Sequence, residues 1–265
     1  MKNNLLIALA VAGLLCIGIV LTAMCIMPQA QTVASTPETE YNWYFKQTEE
    51  GKQPIVCDNV DFLDKYDLIY MGDEADKKIC ITFDMGYENG YTEKILDTLK
   101  KHDAKAAFFV TGHYLDSNPD IIKRMADEGH LVCNHTDKHA DLTKISDKEE
   151  FAKQVDGLAQ RYREITGEDM PKYLRPPEGK YSERELQMSE ELGYTNVFWS
   201  FAYKDWLVDD QPSPEEAKKK IISRTHNGMV ALFHATSKTN CDILDDVLTQ
   251  WENMGYTVCP ISELK

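Results

Sequence analysis

From residue 78 onward the chain alternates between two kinds of apolar pattern. Short runs rich in Val, Ile, Phe and Tyr occur at residues 78–83, 106–111, 131–135, 173–176, 195–200, 229–234 and 256–261. They are apolar at successive positions, the pattern of strands covered on both faces. Between them lie stretches at helical spacing: 92–102, 119–128, 148–166, 182–192, 214–226 and 240–254. In the first, Ile95, Leu96 and Leu99 fall on one face, and Thr92 stands where an N-cap belongs. Gly129, Gly167, Gly193, Gly228 and Gly255 follow helical stretches, where a left-handed residue closes the last turn. Seven strands alternating with helices predict an α/β fold with a parallel sheet. A doubly wound sheet gives the same alternation. Polar residues at the strand ends favour a distorted (β/α) barrel of about seven parallel strands, because barrel sites gather there.

Upstream the pattern changes. The run at residues 5–27 follows Lys2 and contains no charged residue. At 1.5 Å per residue it can cross a hydrocarbon core of roughly 30 Å. It exceeds the apolar core of about 7–15 residues usual in a cleaved signal, and Ala30 and Ala34 make poor cleavage points. The expected organisation is a membrane anchor or signal segment at 1–27 and a polar linker at 28–40. An extension without clean period follows at 41–77, packing on a catalytic domain at 78–265. Everything past the anchor is then extracytoplasmic, tethered to the membrane or secreted if the segment is cleaved.

Composition narrows the partners. With 43% hydrophobic and 28% charged residues, the chain has the make-up of a globular protein. Its net charge of −15 excludes a nucleic-acid partner, which needs clustered cations. Two of the seven cysteines, Cys16 and Cys25, lie in the apolar run. The other five, Cys57, Cys80, Cys133, Cys241 and Cys259, are odd in number and form no CxxC pair. Those in strands read as small buried hydrophobes, with a single bridge left open.

The candidate chemistry sits at strand ends. Asp84 ends the first strand, His135 the third, and Arg175 lies in the fourth within YLRPPEG. The segment FWSFAYKDW brings Asp205 and Trp206 just past the fifth, and His234 ends the sixth. His135 and His139 form an HxxxH pair; on a helical turn two such imidazoles share a face and can grip one metal ion. Taken singly, each residue has an ordinary alternative: a solvated histidine, a turn-capping Asp84, a structural Arg175, a satisfied polar His234. Together they suit catalysis. Asp84 serves as a general base beside an activated water, with the Arg175 fork holding it ionised. Asp205 with His234 makes a carboxylate–imidazole pair able to deliver a proton.

In chain order, Thr82–Gly86, His135–His139, Arg175–Gly179, Asp205-Trp206 and Leu232–His234 resemble the five motifs of polysaccharide deacetylases (NodB-type, carbohydrate esterase family 4). NWYF near residue 43, KYDLIYMG at 65–72, MGYENGYT at 85–92, NHTDKHADLTKIS at 134–146 and HATSKTN at 234–240 are similar to the spore-cortex branch, the delta-lactam-biosynthetic de-N-acetylases. The resemblance implies a distorted barrel and a divalent metal, usually zinc, on His135 and His139. It implies Asp84 as base held by Arg175, and His234 as acid tuned by Asp205. The implied substrate is N-acetylmuramic acid in peptidoglycan strands whose stem peptide a muramoyl-peptide amidase has removed. The freed amine then closes onto the lactyl carboxylate to give muramic δ-lactam. Tyr87 and Trp206 are candidates for the pocket wall, with aromatic core packing as the alternative.

One position departs from the family. The first motif normally offers a second acid as third metal ligand, and here that position is Met85, whose thioether suits zinc poorly. Weak affinity, help from Glu88, or Met85 as mere filler remain open. Three rival functions follow: a broader peptidoglycan or chitooligosaccharide N-deacetylase, a catalytically weakened glycan-binding homologue, and a metalloprotease. The absence of HExxH argues against the last.

Overall fold

The computed structural model describes residues 39–264. The expected anchor and residues 28–38 of the linker lie outside the described residues, among which no helix is long and apolar enough to cross a membrane.

The central sheet contains β1 (Leu68–Ile69), β2 (Lys78–Met85), β3 (Ala106–Val110), β4 (Leu131–Asn134), β5 (Tyr173–Leu174), β6 (Thr195–Val197), β7 (Met229–His234) and β8 (Thr257–Val258). All pairs are parallel, in the order β7-β2-β3-β4-β5-β6-β1, with β8 on the base of β2. The helices are α1 (Thr92–Lys101), α2 (Gly112–Ser117), α3 (Pro119–Asp127), α4 (Lys148–Thr166), α5 (Glu183–Glu191), α6 (Pro214–Ser223) and α7 (Lys238–Asn253). Every strand and helix expected from residue 78 onward is present. The short α2, on which the sequence pattern was silent, is capped by Thr111, whose hydroxyl accepts from the Tyr114 amide at 3.3 Å.

Strand β2 shows how the sheet separates two cores. Ile79, Ile81, Phe83 and Met85 face the helices, packing with Ile95, Leu96, Leu99 and Trp251. Cys80, between them, joins the inner cluster with Phe109, Val197, Val230 and Ile261. Successive residues of a strand point to opposite faces, so Asp84 has the inner parity of Cys80 and Met85 the outer parity of Phe83. Because both faces are covered, every residue from Ile79 to Met85 is buried, the polar Thr82 and Asp84 included.

The sheet curls into a distorted half-barrel. Beyond β6 the chain crosses toward β7: Phe201 bridges Ala231, and the Leu232 amide donates to the Phe201 carbonyl at 2.8 Å. The extension at 41–77 does more than pack on this body. It supplies β1, which pairs with β6, and Tyr41–Asn42 pairs antiparallel with Lys180–Tyr181. Trp43 stacks on Phe198 at 4.1 Å and its indole N–H donates to the Trp199 carbonyl at 2.8 Å. Two-residue strands carry no period, which is why the sequence pattern did not mark them.

Two backbones meet closely where β1 leads toward β7. The Gly72 amide donates to the Gly228 carbonyl at 2.7 Å. Gly228 has φ +68°, and a Cβ there would lie 2.5 Å from the Gly72 carbonyl carbon. Gly228→Ala is therefore expected to cost about 2–4 kcal/mol of stability, read from the urea midpoint. An unchanged midpoint would mean that the two segments separate without cost.

Candidate active site

Arg175 follows β5 and is fully buried. Its Nη1 donates to Asp84 Oδ1 at 2.7 Å, its Nε to the Val197 carbonyl at 3.0 Å and its Nη2 to the Phe198 carbonyl at 3.2 Å. The guanidinium carbon lies 4.1 Å from the Phe109 ring centroid. The Arg175 fork thus gives Asp84 a single charge-assisted bond. The other two donors go to the Val197 and Phe198 carbonyls at the end of β6. Burial raises the Asp84 carboxyl, but Arg175, with His135 and His234, more than offsets this and holds it below the usual carboxylate range.

The HxxxH pair does not lie on a helix. Residues 135–139 form a loop in which Thr136 and His139 have φ of 68° and 52°. Local bonds divert the backbone: the Gly112 amide donates to the carbonyls of Thr136 and Asp137, and Asn134 Oδ1 accepts from the Thr136 amide at 2.8 Å. The two imidazoles meet all the same, edge to face, with centroids 4.9 Å apart.

His135 is held in one tautomer. Its Nδ1 lies 2.8 Å from the Arg175 carbonyl oxygen, which only accepts, so Nδ1 carries the proton and Nε2 the lone pair. Burial pushes the ring down to about 4 against the opposing pull of Asp84, leaving it neutral at physiological pH. Nε2 faces Asp84 Oδ2 at 3.6 Å. With the ring neutral this contact is no ion pair; a lone pair faces a carboxylate with no proton between them. A cation resolves that juxtaposition. Two imidazoles, one backed by a backbone carbonyl, fit a divalent ion of zinc's type.

Neither suggested substitute provides a third ligand. Met85 borders the cleft but is 1% exposed and belongs to the helix-facing core. Glu88 Oε1 accepts from the amides of Gly90 at 2.6 Å and Tyr91 at 3.1 Å, and Oε2 from the hydroxyls of Thr92 at 2.5 Å and Tyr114 at 2.7 Å. It therefore caps α1, the part expected of Thr92; the N-cap residue is Tyr91, with no side-chain cap bond. No group of three or more His, Cys, Asp and Glu suited to a metal occurs among the described residues.

Across the cleft, His234 Nδ1 lies 2.8 Å from Asp205 Oδ1, so this nitrogen donates and Nε2 is left for the cavity. Asp205 is fully buried and also accepts from the His234 amide at 2.9 Å and from Asn240 Nδ2 at 2.6 Å. Asn240, in the first turn of α7, is a residue the motif reading did not single out. Its amide group fixes Asp205, and the Tyr203 hydroxyl donates to its Oδ1. Only the packing of α7 against the β7 end brings it there. Burial lowers the His234 pKa, but Asp205 outweighs it and raises the ring above its ordinary value.

The cleft has a volume of about 940 Å³ and takes in Asp84, His135, His139 and His234. Tyr87 and Trp206 line it and are 48% and 49% exposed, so neither is packed in the core. The Trp206 ring lies 5.8 Å from that of His234. Lys204 also lines the cleft, its Nζ 2.6 Å from the exposed Asp210 carboxylate.

Comparison with known proteins places this site in context. The polysaccharide deacetylase family profile matches residues 71–197, ending before Asp205 and His234. The peptidoglycan-N-acetylmuramic acid deacetylase PdaA of Bacillus subtilis is 41% identical over 238 residues, covering 89% of each chain. The solved structure of Bacillus subtilis PdaA, described as a family 4 carbohydrate esterase, superposes with a TM-score of 0.82 at 40% identity, over 86% of this chain and 98% of that one. A peptidoglycan-N-acetylglucosamine deacetylase of Bacillus cereus is 31% identical, covering 73% of this chain and 70% of its own.

The His234–Asp205 pair has a testable titration. With the folded pKa raised, its stabilisation is fully present below the unfolded value near 6.5 and fades as pH climbs through the folded one. Asp205→Asn should move the ring titration, followed by NMR, to lower pH. A titration unmoved by the substitution would mean that Asp205 does not tune this ring.

Proposed function

Since the chain belongs to the polysaccharide deacetylase family, a group of carbon–nitrogen hydrolases, we propose that it removes acetyl groups from N-acetylmuramic acid in peptidoglycan strands lacking stem peptide. The carrying observation is the register of β7 on β2, which sets His234 directly beside Asp84 on adjacent strands. Opposite environments act on these neighbours. A cation holds the carboxyl ionised, and a buried carboxylate favours the charged imidazole. Titratable groups pushed apart in this way are suited to base and acid work in one reaction.

In this reading Asp84 accepts a proton from the attacking water. Arg175 keeps that carboxylate charged and aimed. As the amide carbon–nitrogen bond breaks, His234 delivers a proton from Nε2 to the departing amine, and acetate leaves. Asp205, steadied by Asn240, favours the charged imidazole until transfer. A divalent ion held by His135 and His139, zinc by the nature of the donors, would polarise the acetyl carbonyl and acidify the water. Tyr87 and Trp206 offer aromatic faces for sugar rings at the cleft wall.

The muramic acid assignment draws on two further supports. Identity is higher to the muramic acid deacetylase than to the glucosamine enzyme, and over more of the chain. Lys204 supplies a cation at the cleft for the lactyl carboxylate that muramic acid carries and glucosamine lacks. Its pairing with Asp210 is exposed on both sides and therefore readily exchanged. Deacetylation leaves an amine beside that carboxylate, and its closure gives muramic δ-lactam, the modification of spore cortex. An amidase must act first to free the carboxylate. The charge-free run at 5–27 supports work outside the cytoplasm, at the membrane.

Acetate release from peptide-free glycan, compared with peptide-bearing and glucosamine-only substrates, tests the reading. Activity confined to the glucosamine substrate would overturn it. Asp84→Asn and His234→Ala should each lower kcat by about 10²–10⁴-fold without unfolding the chain. Chelation should abolish turnover and zinc restore it. Lys204→Gln should raise KM by roughly 3- to 10-fold on the muramic substrate, and by less on the glucosamine one. An equal change on both would remove the lysine from substrate discrimination.

A further inference from the structure

Far from the cleft, at the base of the sheet, two cysteine thiols meet in the inner core. Cys80 lies in β2, four residues before Asp84, and Cys259 directly follows β8. The ladder pairs Thr257 with Lys78 and Val258 with Ile79, and the Cys259 amide donates to the Ile79 carbonyl at 3.0 Å. Continuing that register sets Cys259 opposite Cys80. Both side chains belong to the inner cluster, at 0% and 3% exposure, with sulfurs 3.6 Å apart. Neighbouring strands lie about 4.8 Å apart, inside the Cα separation of about 4.4–6.8 Å that a disulfide spans. Cys133 shares the cluster, but the two sulfurs in contact are those of Cys80 and Cys259.

We propose that Cys80 and Cys259 are a cross-link site, closing to a disulfide that staples the C-terminal strand to the first long strand of the sheet. The oxidant is of the disulfide class, an oxidoreductase in an oxidising compartment or oxidised glutathione in vitro. Cys259 loses its proton and attacks one sulfur of that disulfide, expelling a thiolate. Cys80 then loses its proton and attacks the Cys259 sulfur of the mixed disulfide, expelling the second thiolate. Two protein thiols give up two electrons and two protons; the oxidant becomes two thiols. The order follows the environment, since the contact with Cys80 and then the Lys78 charge favour the Cys259 thiolate, while the same contact and burial disfavour that of Cys80. β8 pairs through only two residues, so fraying of this strand provides access to a pair that is otherwise enclosed.

The bond would link residues 179 apart in sequence and so restrict most of the unfolded catalytic domain. It lies at the opposite end of β2 from the reacting groups, so turnover should stay the same while thermal stability rises. The full chain is incubated with oxidised glutathione, alkylated after unfolding and digested without reductant. The expected product is one peptide pair joining Cys80 to Cys259, lighter by two hydrogens than its parts. The thermal midpoint should rise by about 10 °C and fall back on reduction. Cys259→Ala should fold, keep its turnover and lose only the oxidant-dependent rise; Cys80→Ala gives a second reading of the same loss. Both thiols recovered alkylated after oxidation, or either one linked to Cys133, would overturn the proposal.

Discussion

The buried guanidinium of Arg175 is the constraint on which the site depends. Removing this charge from water is costly, and a single carboxylate repays only part of that cost. The remainder comes from two backbone carbonyls at the end of β6 and from the Phe109 face, so the side chain is held from four directions. Its backbone takes part as well. The Arg175 amide donates to the Asn134 carbonyl at 2.9 Å, and its own carbonyl fixes the His135 tautomer. One residue thereby ties β2, β4, β5 and β6 together at the mouth. It also sets both the charge of Asp84 and the free lone pair of His135.

The two sides of the cleft obey the same rule with opposite signs. Burial penalises charge on Asp84 and on His234 alike, and in each a fully buried partner of opposite charge outweighs the penalty. His135 lacks such a partner on its protonated nitrogen, where only a neutral carbonyl waits, and burial wins. Three titratable groups within one cavity thus take three different states. The carboxylate and the two histidines are distinguished by what stands behind them, not by how exposed they are.

The helices past residue 78 were legible because each buries an apolar stripe at helical spacing, and the strands because sheets covered on both faces leave short, mostly apolar runs. The extension at 41–77 was not, because its strands are two residues long and its order comes from aromatic contacts such as Trp43 on Phe198. Within the site, strand-end position was enough to single out Asp84, His135 and His234. It failed for Glu88 and Asn240, whose parts are fixed by a helix start and by a helix packed on the β7 end. The two residues of the HxxxH spacing do meet, but loop bonds from Gly112 and Asn134 and not helical turns close the gap.

The sequence by itself determined the alternation of elements and the set of polar residues available at strand ends. These are properties of local spacing and side-chain type, and they survive without knowledge of neighbours. Only the tertiary structure decided that Arg175 gives Asp84 one bond, that Met85 turns into the outer core, and that His234 stands in register beside Asp84. Each of these depends on which strand lies next to which and on where a buried donor finds its acceptor. Local spacing carries no record of that.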